Sequence, residues 1–209
     1  MGLAHLRYNQ FNFKQAWELA EEVLARAWSA KSSENLAGAH MVSGFVLFAT
    51  GQPGAAAEHF ERAAELAGAG PLRNLGGYLA LNAPALLGAA QNILGHHSAA
   101  VGRAKELLTA ARRSSDPHAI AYALLSVGLH NILVRETDGV AERTDQMLSI
   151  AKEHGLSLNL ILGPVLPGRV MVAEGRGGDG IVEMRKTLSD PRLGVTTAAA
   201  LLIVSTTLR

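Results

Sequence analysis

Over residues 55–66, Ala56, Phe60, Ala63 and Ala64 recur at helical spacing while Glu58, Glu61, Arg62 and Glu65 take the opposite side. That is the stripe of an amphipathic surface helix. The stretch before it, 36–50, is almost wholly apolar or small, from Leu36 through Met41, Gly44, Phe45 and Phe48 to Thr50, and predicts a more deeply buried helix. Between them lies Gly51-Gln52-Pro53-Gly54. Gly51 suits the left-handed residue that ends a helix, and Pro53 suits the first turn of the next, where its missing N–H costs little. The pattern therefore reads helix, tight turn, helix. Short side chains at Gly44 and Ala56 let the two axes approach, since a bulky group at either place would push them apart.

The same arrangement recurs. Gly44, Gly88, Gly128 and Gly168 stand 44, 40 and 40 residues apart, each followed seven residues later by a helix break and twelve later by a small or β-branched residue. The second small slot is Ala56, Ala100, Val140 and Gly180 in turn, and the turns are Gly51–Gly54, Gly95-His96-His97, Arg135–Asp138 and Gly175–Gly178. An earlier partial copy has Phe11-Asn12-Phe13 at its turn and Ala16 at its small slot. A fixed period means one supersecondary unit copied, each copy hiding its apolar face on the next. Pro164 and Pro167 fall inside the first helix of the fifth copy and predict a kink or a delayed start there. Thr144 and Met184 replace the usual aromatic or alanine of the second helix, so looser packing is expected in the later hairpins. Val195 to Leu208 reads as a first helix whose partner is missing.

Leu87-Gly88, Gly95 through Ala100, Ala104 and Leu107, and above all Gly44, Gly51, Ala56, Phe60 and Ala63, resemble the tetratricopeptide repeat. The lengthened units, most clearly Phe13 to Leu24 and Gly168 to Leu188, are similar to repeats lying C-terminal to the ATPase module of bacterial LuxR-type transcription regulators and ATPase-linked adenylate or guanylate cyclases. The resemblance spans nearly all of the chain, and its motifs specify packing only. It implies an all-α fold, a right-handed superhelical solenoid of about five tetratricopeptide-like hairpins, forming a single domain over 1–209. The repeats are 1–33, 34–72, 73–116, 117–156 and 157–190, with an incomplete unit at 191–209. The corresponding expectation is a non-catalytic interaction or effector-sensing scaffold, part of or derived from a bacterial signalling or transcription regulator.

Composition narrows this in three ways. Apolar residues at 48% against 18% charged fit helices buried on two sides and argue against disorder. The chain has no cysteine, hence no disulfide framework, thiolate zinc site or cysteine nucleophile. The first residues hold no apolar core of signal-peptide length and the longest apolar run, Val195 to Val204, is too short to span a bilayer, so a cytoplasmic protein with no membrane partner is expected. Net charge is +1, and basic residues are scattered, with adjacent pairs only at Arg112-Arg113 and Arg185-Lys186. Direct nucleic-acid binding needs a stripe of positive charge and is not expected.

Chemical motifs are sparse. Gly175-Arg176-Gly177-Gly178-Asp179-Gly180 satisfies G-x-G-x-x-G and follows Val170–Ala173, which would pass for a strand; the alternative function is accordingly a small nucleotide-binding enzyme using this turn. The fingerprint works only within a strand–turn–helix–strand unit, and the repeat register accounts for Gly175 and Gly180 without it. Among eight histidines, His96-His97 is the only adjacent pair and no H-E-x-x-H spacing occurs. His40, His59, His130 and His154 stand singly along helices, where satisfied or exposed histidines are commoner than ligands. Ser43-Gly44 and Ser126-Val127-Gly128 lack the preceding glycine of a nucleophile elbow, and Glu21-Glu22 reads as a solvated face. No catalytic residue, cofactor site or metal site is expected.

In such stacks the first helices line a concave face. Here that face comprises Met41, Phe45 and Phe48; Asn82, Ala85, Ala89 and Asn92; Tyr122, Leu125, Leu129 and Ile132; and Leu162, Val165, Arg169 and Val172. Apolar strips of this kind mark contact surfaces. One reading is a groove for a protein partner or apolar effector, with Phe45, Tyr122 and Leu129 as anchors and Asn92 and Arg169 fixing orientation. A second is a closed superhelix in which the strip is ordinary core. The third is a homodimer capped through Val195–Leu208.

Overall fold

The computed structural model describes residues 2–29, 31–67 and 75–188. Among these every regular element is an α-helix and no strand occurs: α1 (Gly2–Asn9), α2 (Phe13–Ser29), α3 (Ser33–Ala49), α4 (Pro53–Ala67), α5 (Leu75–Ile93), α6 (His97–Ser114), α7 (Pro117–Leu133), α8 (Val140–His154), α9 (Ser157–Leu162), α10 (Val165–Ala173) and α11 (Gly177–Leu188). The unpartnered helix expected at Val195–Leu208, and the dimer contact built on it, lie outside the described residues. So does the repeat boundary expected at 72. The chain falls into two compact units, residues 1–103 and those from 104 onward, with the division inside α6.

Chain reversals share one backbone geometry. Phe11 (φ 59°), Gly51 (79°), Gly95 (85°), Arg135 (62°) and Gly175 (84°) are all left-handed, at intervals of 40, 44, 40 and 40 residues. After each, the next residue's N–H donates to the carbonyl five positions back. These bonds are Asn12 to Arg7 at 2.9 Å, Gln52 to Leu47 at 2.9 Å, His96 to Gln91 at 2.8 Å, Glu136 to Asn131 at 2.8 Å and Arg176 to Met171 at 2.9 Å. This pairing uses up the orphan carbonyls of a helix end and turns the chain back within a few residues. The left-handed residues Lys31 (φ 52°), Ser115 (54°) and Gly155 (66°) end the intervening helices, with Ser32 donating to Ala27 at 3.0 Å and Leu156 to Ala151 at 2.9 Å. Helix starts are written as plainly. The Ser32 hydroxyl accepts from the Asn35 N–H, and the Asp116 carboxylate accepts from the His118 N–H at 3.0 Å, with Pro117 in the first turn.

In the first unit each helix from α1 to α4 packs on its successor, and α3 also meets α1 and α5. The core runs through Ala37, Met41 and Leu47 of α3, Ala56, Phe60 and Ala63 of α4, and Ala83, Leu87 and Ala90 of α5. Phe60 is fully buried because Gly44 makes room: a β-carbon on Gly44 would lie 2.5 Å from the Phe60 ring. The small residue at 44 thus admits the aromatic of the facing helix, while Ala56 is itself fully buried. Arg103 closes this unit from α6, its guanidinium donating to Gln91 at 3.2 Å and standing 3.5 Å from Glu61.

In the second unit α7 packs on α8, α9 and α10, α8 on α9 and α10, and α10 on α11. The small slots again carry the contacts. A β-carbon on Gly128 would lie 2.8 Å from Leu166, and one on Gly168 would lie 2.9 Å from the Gly180 carbonyl. The expected proline break is present, since α9 stops at Leu162 and α10 starts at Val165. Pro167 has no N–H for the Gly163 carbonyl, which accepts from Leu166 instead at 3.0 Å. Gly163 sits against Met147 and Leu148 of α8 at this bend. Looser packing around Thr144 and Met184 is not found: they are 1% and 8% exposed. Thr144 hides its hydroxyl by donating to the Val140 carbonyl at 2.8 Å, which lets a polar side chain take an interior place.

Two substitutions test this account by urea denaturation. Gly44→Val overpacks the Phe60 contact and lowers stability by about 1–3 kcal/mol. Arg135→Gly relieves a left-handed backbone and raises it by about 1 kcal/mol.

Candidate functional site

The residues expected to face a partner occupy unlike surroundings. Phe45 is half-buried beneath α1, stacked on Tyr8 with ring centroids 5.1 Å apart, 5.8 Å from the His5 ring and edge-on to Phe60 at 5.9 Å. It is one member of an aromatic cluster that ties α1, α3 and α4 together. Asn92 is buried in the last turn of α5, its side-chain carbonyl 3.1 Å from Nδ1 of His97 at the start of α6, and so braces the Gly95 turn. Met41, Asn82, Ala85, Leu125, Ile132, Leu162 and Val165 are buried as well. Most of the expected strip is therefore interior.

Tyr122 and Leu129 stay half-exposed on α7, two turns apart on one helix face, and Arg169 stays half-exposed on α10, which packs on α7. Arg169 makes no ion pair or hydrogen bond among the described residues, and burial lowers its pKa from the ordinary arginine range. A partly desolvated guanidinium beside apolar side chains retains its donors for an anionic group. On the same helix Val172 is exposed, and Ile181 and Val182 are exposed on α11.

The glycine-rich turn lacks the context of a dinucleotide site. Val170–Ala173, which would pass for a strand in the sequence, is the end of α10, and Gly175 is the left-handed residue between α10 and α11. Gly180 touches the Gly168 backbone and Val172, so its missing side chain serves helix packing. Among the described residues no group of three or more potential metal-ligating side chains occurs, and no helix is long and apolar enough to cross a membrane.

Sequence reasoning missed one pairing. His40 on α3 and His59 on α4, taken above as solitary, bring their Nδ1 atoms to 3.2 Å, with ring centroids 5.0 Å apart. The Trp17 ring of α2 stands edge-on to His59 at 6.2 Å. A partial signal was available, since the two histidines lie eleven residues before and eight after Gly51, on helices that the turn sends back along each other. Burial, then His59, then Arg62 push the His40 pKa down to about 4. His59 is lowered by burial and partly restored by Glu58, and His5 is lowered by burial in the aromatic cluster.

No family model, curated protein or solved structure matches this chain. Function therefore rests on the geometry above.

The lowered histidines give stability a pH dependence. Between pH 6.5 and about 4 the unfolded chain takes up protons that the folded pair resists. Stability is full above that window and falls as the pH drops through it. Urea midpoints should be lower at pH 5 than at pH 7, and His40→Gln should flatten the difference.

Proposed function

We propose that the chain is a right-handed superhelical stack of about five tetratricopeptide-like hairpins, acting as a non-catalytic scaffold that holds a protein partner or apolar effector. The observation that carries this reading is the left-handed cap recurring at 40, 44, 40 and 40 residues, joined to small residues at the matching contact positions of successive hairpins. Repeated hairpins of this kind are binding platforms because each presents equivalent side chains along one surface. In the second unit the working residues are Tyr122 and Leu129, which offer apolar area on α7, and Arg169, which offers an unpaired cation on α10. Together they suit an apolar helix or small molecule carrying an anionic group. The similarity of the repeats to those of bacterial LuxR-type regulators and ATPase-linked cyclases supports a place in signalling, with effector occupancy read out by another part of a regulator.

An apolar anion tests the site. Anilinonaphthalene sulfonate should bind with enhanced fluorescence. Arg169→Gln should weaken it roughly tenfold, the scale of a lost charge-assisted hydrogen bond, and Leu129→Asp should weaken it further. Unchanged affinity in both variants, with helicity retained, contradicts the assignment.

A further inference from the structure

The His40–His59 pair has a geometry open to two uses, a hydrogen bond between the rings or two ligands on one ion. A straight N–H···N bond between Nδ1 atoms 3.2 Å apart would hold the centroids roughly 5.5 Å apart, each nitrogen lying about 1.15 Å from its ring centre, because straight bonds are the favoured ones. The centroids are 5.0 Å apart. At least one ring axis is therefore tilted off the Nδ1–Nδ1 line. An Nδ1–Nδ1 span of 3.2 Å is that of two imidazole nitrogens held about 2.0 Å from one ion at roughly 100°, and equal leans to one side would aim both rings at that point, with the bond length and near the tetrahedral angle of imidazole on zinc. As a hydrogen bond that arrangement is bent to roughly 125°, short of the preferred range.

We infer that His40 and His59 form a two-imidazole chelate for a divalent first-row transition ion of the copper, nickel and zinc group, clasping α3 to α4 through their Nδ1 atoms. Imidazole nitrogen favours these metals over magnesium or calcium. Since no third protein ligand gathers there among the described residues, water fills the remaining positions. Binding moves the hydrogen-bonding proton of one ring from Nδ1 to Nε2, so that both Nδ1 lone pairs face the ion and no net proton is released. Two charged side chains of α4 border the pair. Arg62 is drawn to Glu65 at 2.8 Å, and Glu58 acts on His59, so the incoming charge meets one neighbour of each sign. Trp17 forms a wall from α2. The ion would staple the hairpin that contains the deepest aromatic of the core, Phe60, making the rigidity of the first unit responsive to metal.

Trp17 supplies the probe. In a Trp28→Phe background, which removes the only other tryptophan, Cu²⁺ should quench Trp17 fluorescence saturably at one ion per chain. Ca²⁺ and Mg²⁺ should not. His40→Gln and His59→Gln should each abolish the saturable phase, whereas His96→Gln/His97→Gln should leave it intact. Zn²⁺ at about a hundredfold excess over its dissociation constant should raise Tm by about 5 °C, and neither His40→Gln nor His59→Gln should show the rise. Should either variant unfold, the wild-type chain still decides the matter through imidazole ¹⁵N resonances, because Zn²⁺ should move those of His40 and His59 ahead of the other six histidines. The inference is overturned if quenching is not saturable, if it survives both single variants, or if zinc moves the His96 and His97 resonances first.

Discussion

The structure depends on a backbone event: a helix reverses direction within two or three residues only if one of them enters the left-handed region. For a residue with a β-carbon this costs about 1 kcal/mol, and the chain accepts that cost at Phe11, Lys31, Ser115 and Arg135. In exchange the last carbonyls of each helix gain partners and the following helix lies directly against the one it follows. Everything else in the hairpins follows from that proximity. Axes this close tolerate no bulk at the crossing, so Gly44 opposes a phenyl ring, Gly128 opposes Leu166, and Gly168 and Gly180 meet backbone to backbone. Each small residue makes room for a large one opposite it, so that Phe60 against Gly44, Leu166 against Gly128 and Met147 against Gly163 are all fully buried.

Much of this was legible because turn chemistry and close contact both restrict residue choice to a few types. Gly51, Gly95 and Gly175 announced their caps directly. Phe11 and Arg135 carried no glycine to announce them, and only the register identified their positions as turns. Pro164 and Pro167 marked the bend between α9 and α10, since a missing N–H has a local effect that tertiary packing does not erase. The burial of Thr144 was not legible. Its hydroxyl is satisfied by its own helix, and a sequence pattern records the polarity of a side chain without recording whether a local acceptor cancels it.

The candidate site was read less completely than the fold, for a physical reason. A helical register tells which side of α3 or α7 a residue occupies, but not what covers that side. Tyr8 of α1 stacks on Phe45, and Asn92 turns inward to His97. Of the five residues expected to hold a partner, Phe45, Tyr122, Leu129 and Arg169 keep partial exposure and Asn92 is buried. The histidine pair went unnoticed for the complementary reason: single-helix periodicity treats His40 and His59 separately, whereas the packing of α3 on α4 brings them together.

The two functional proposals rest on different units, one on α7 and α10, the other on the α3–α4 clasp. Both require the reversals to be where they are. The most direct test of that requirement is the backbone angle itself, read in solution from Cα chemical shifts and amide–Hα couplings. Phe11, Gly51, Gly95, Arg135 and Gly175 should each report a positive φ between stretches of helical shift. Helical values running unbroken through Phe11 and Arg135 would contradict the recurring hairpin on which the account stands.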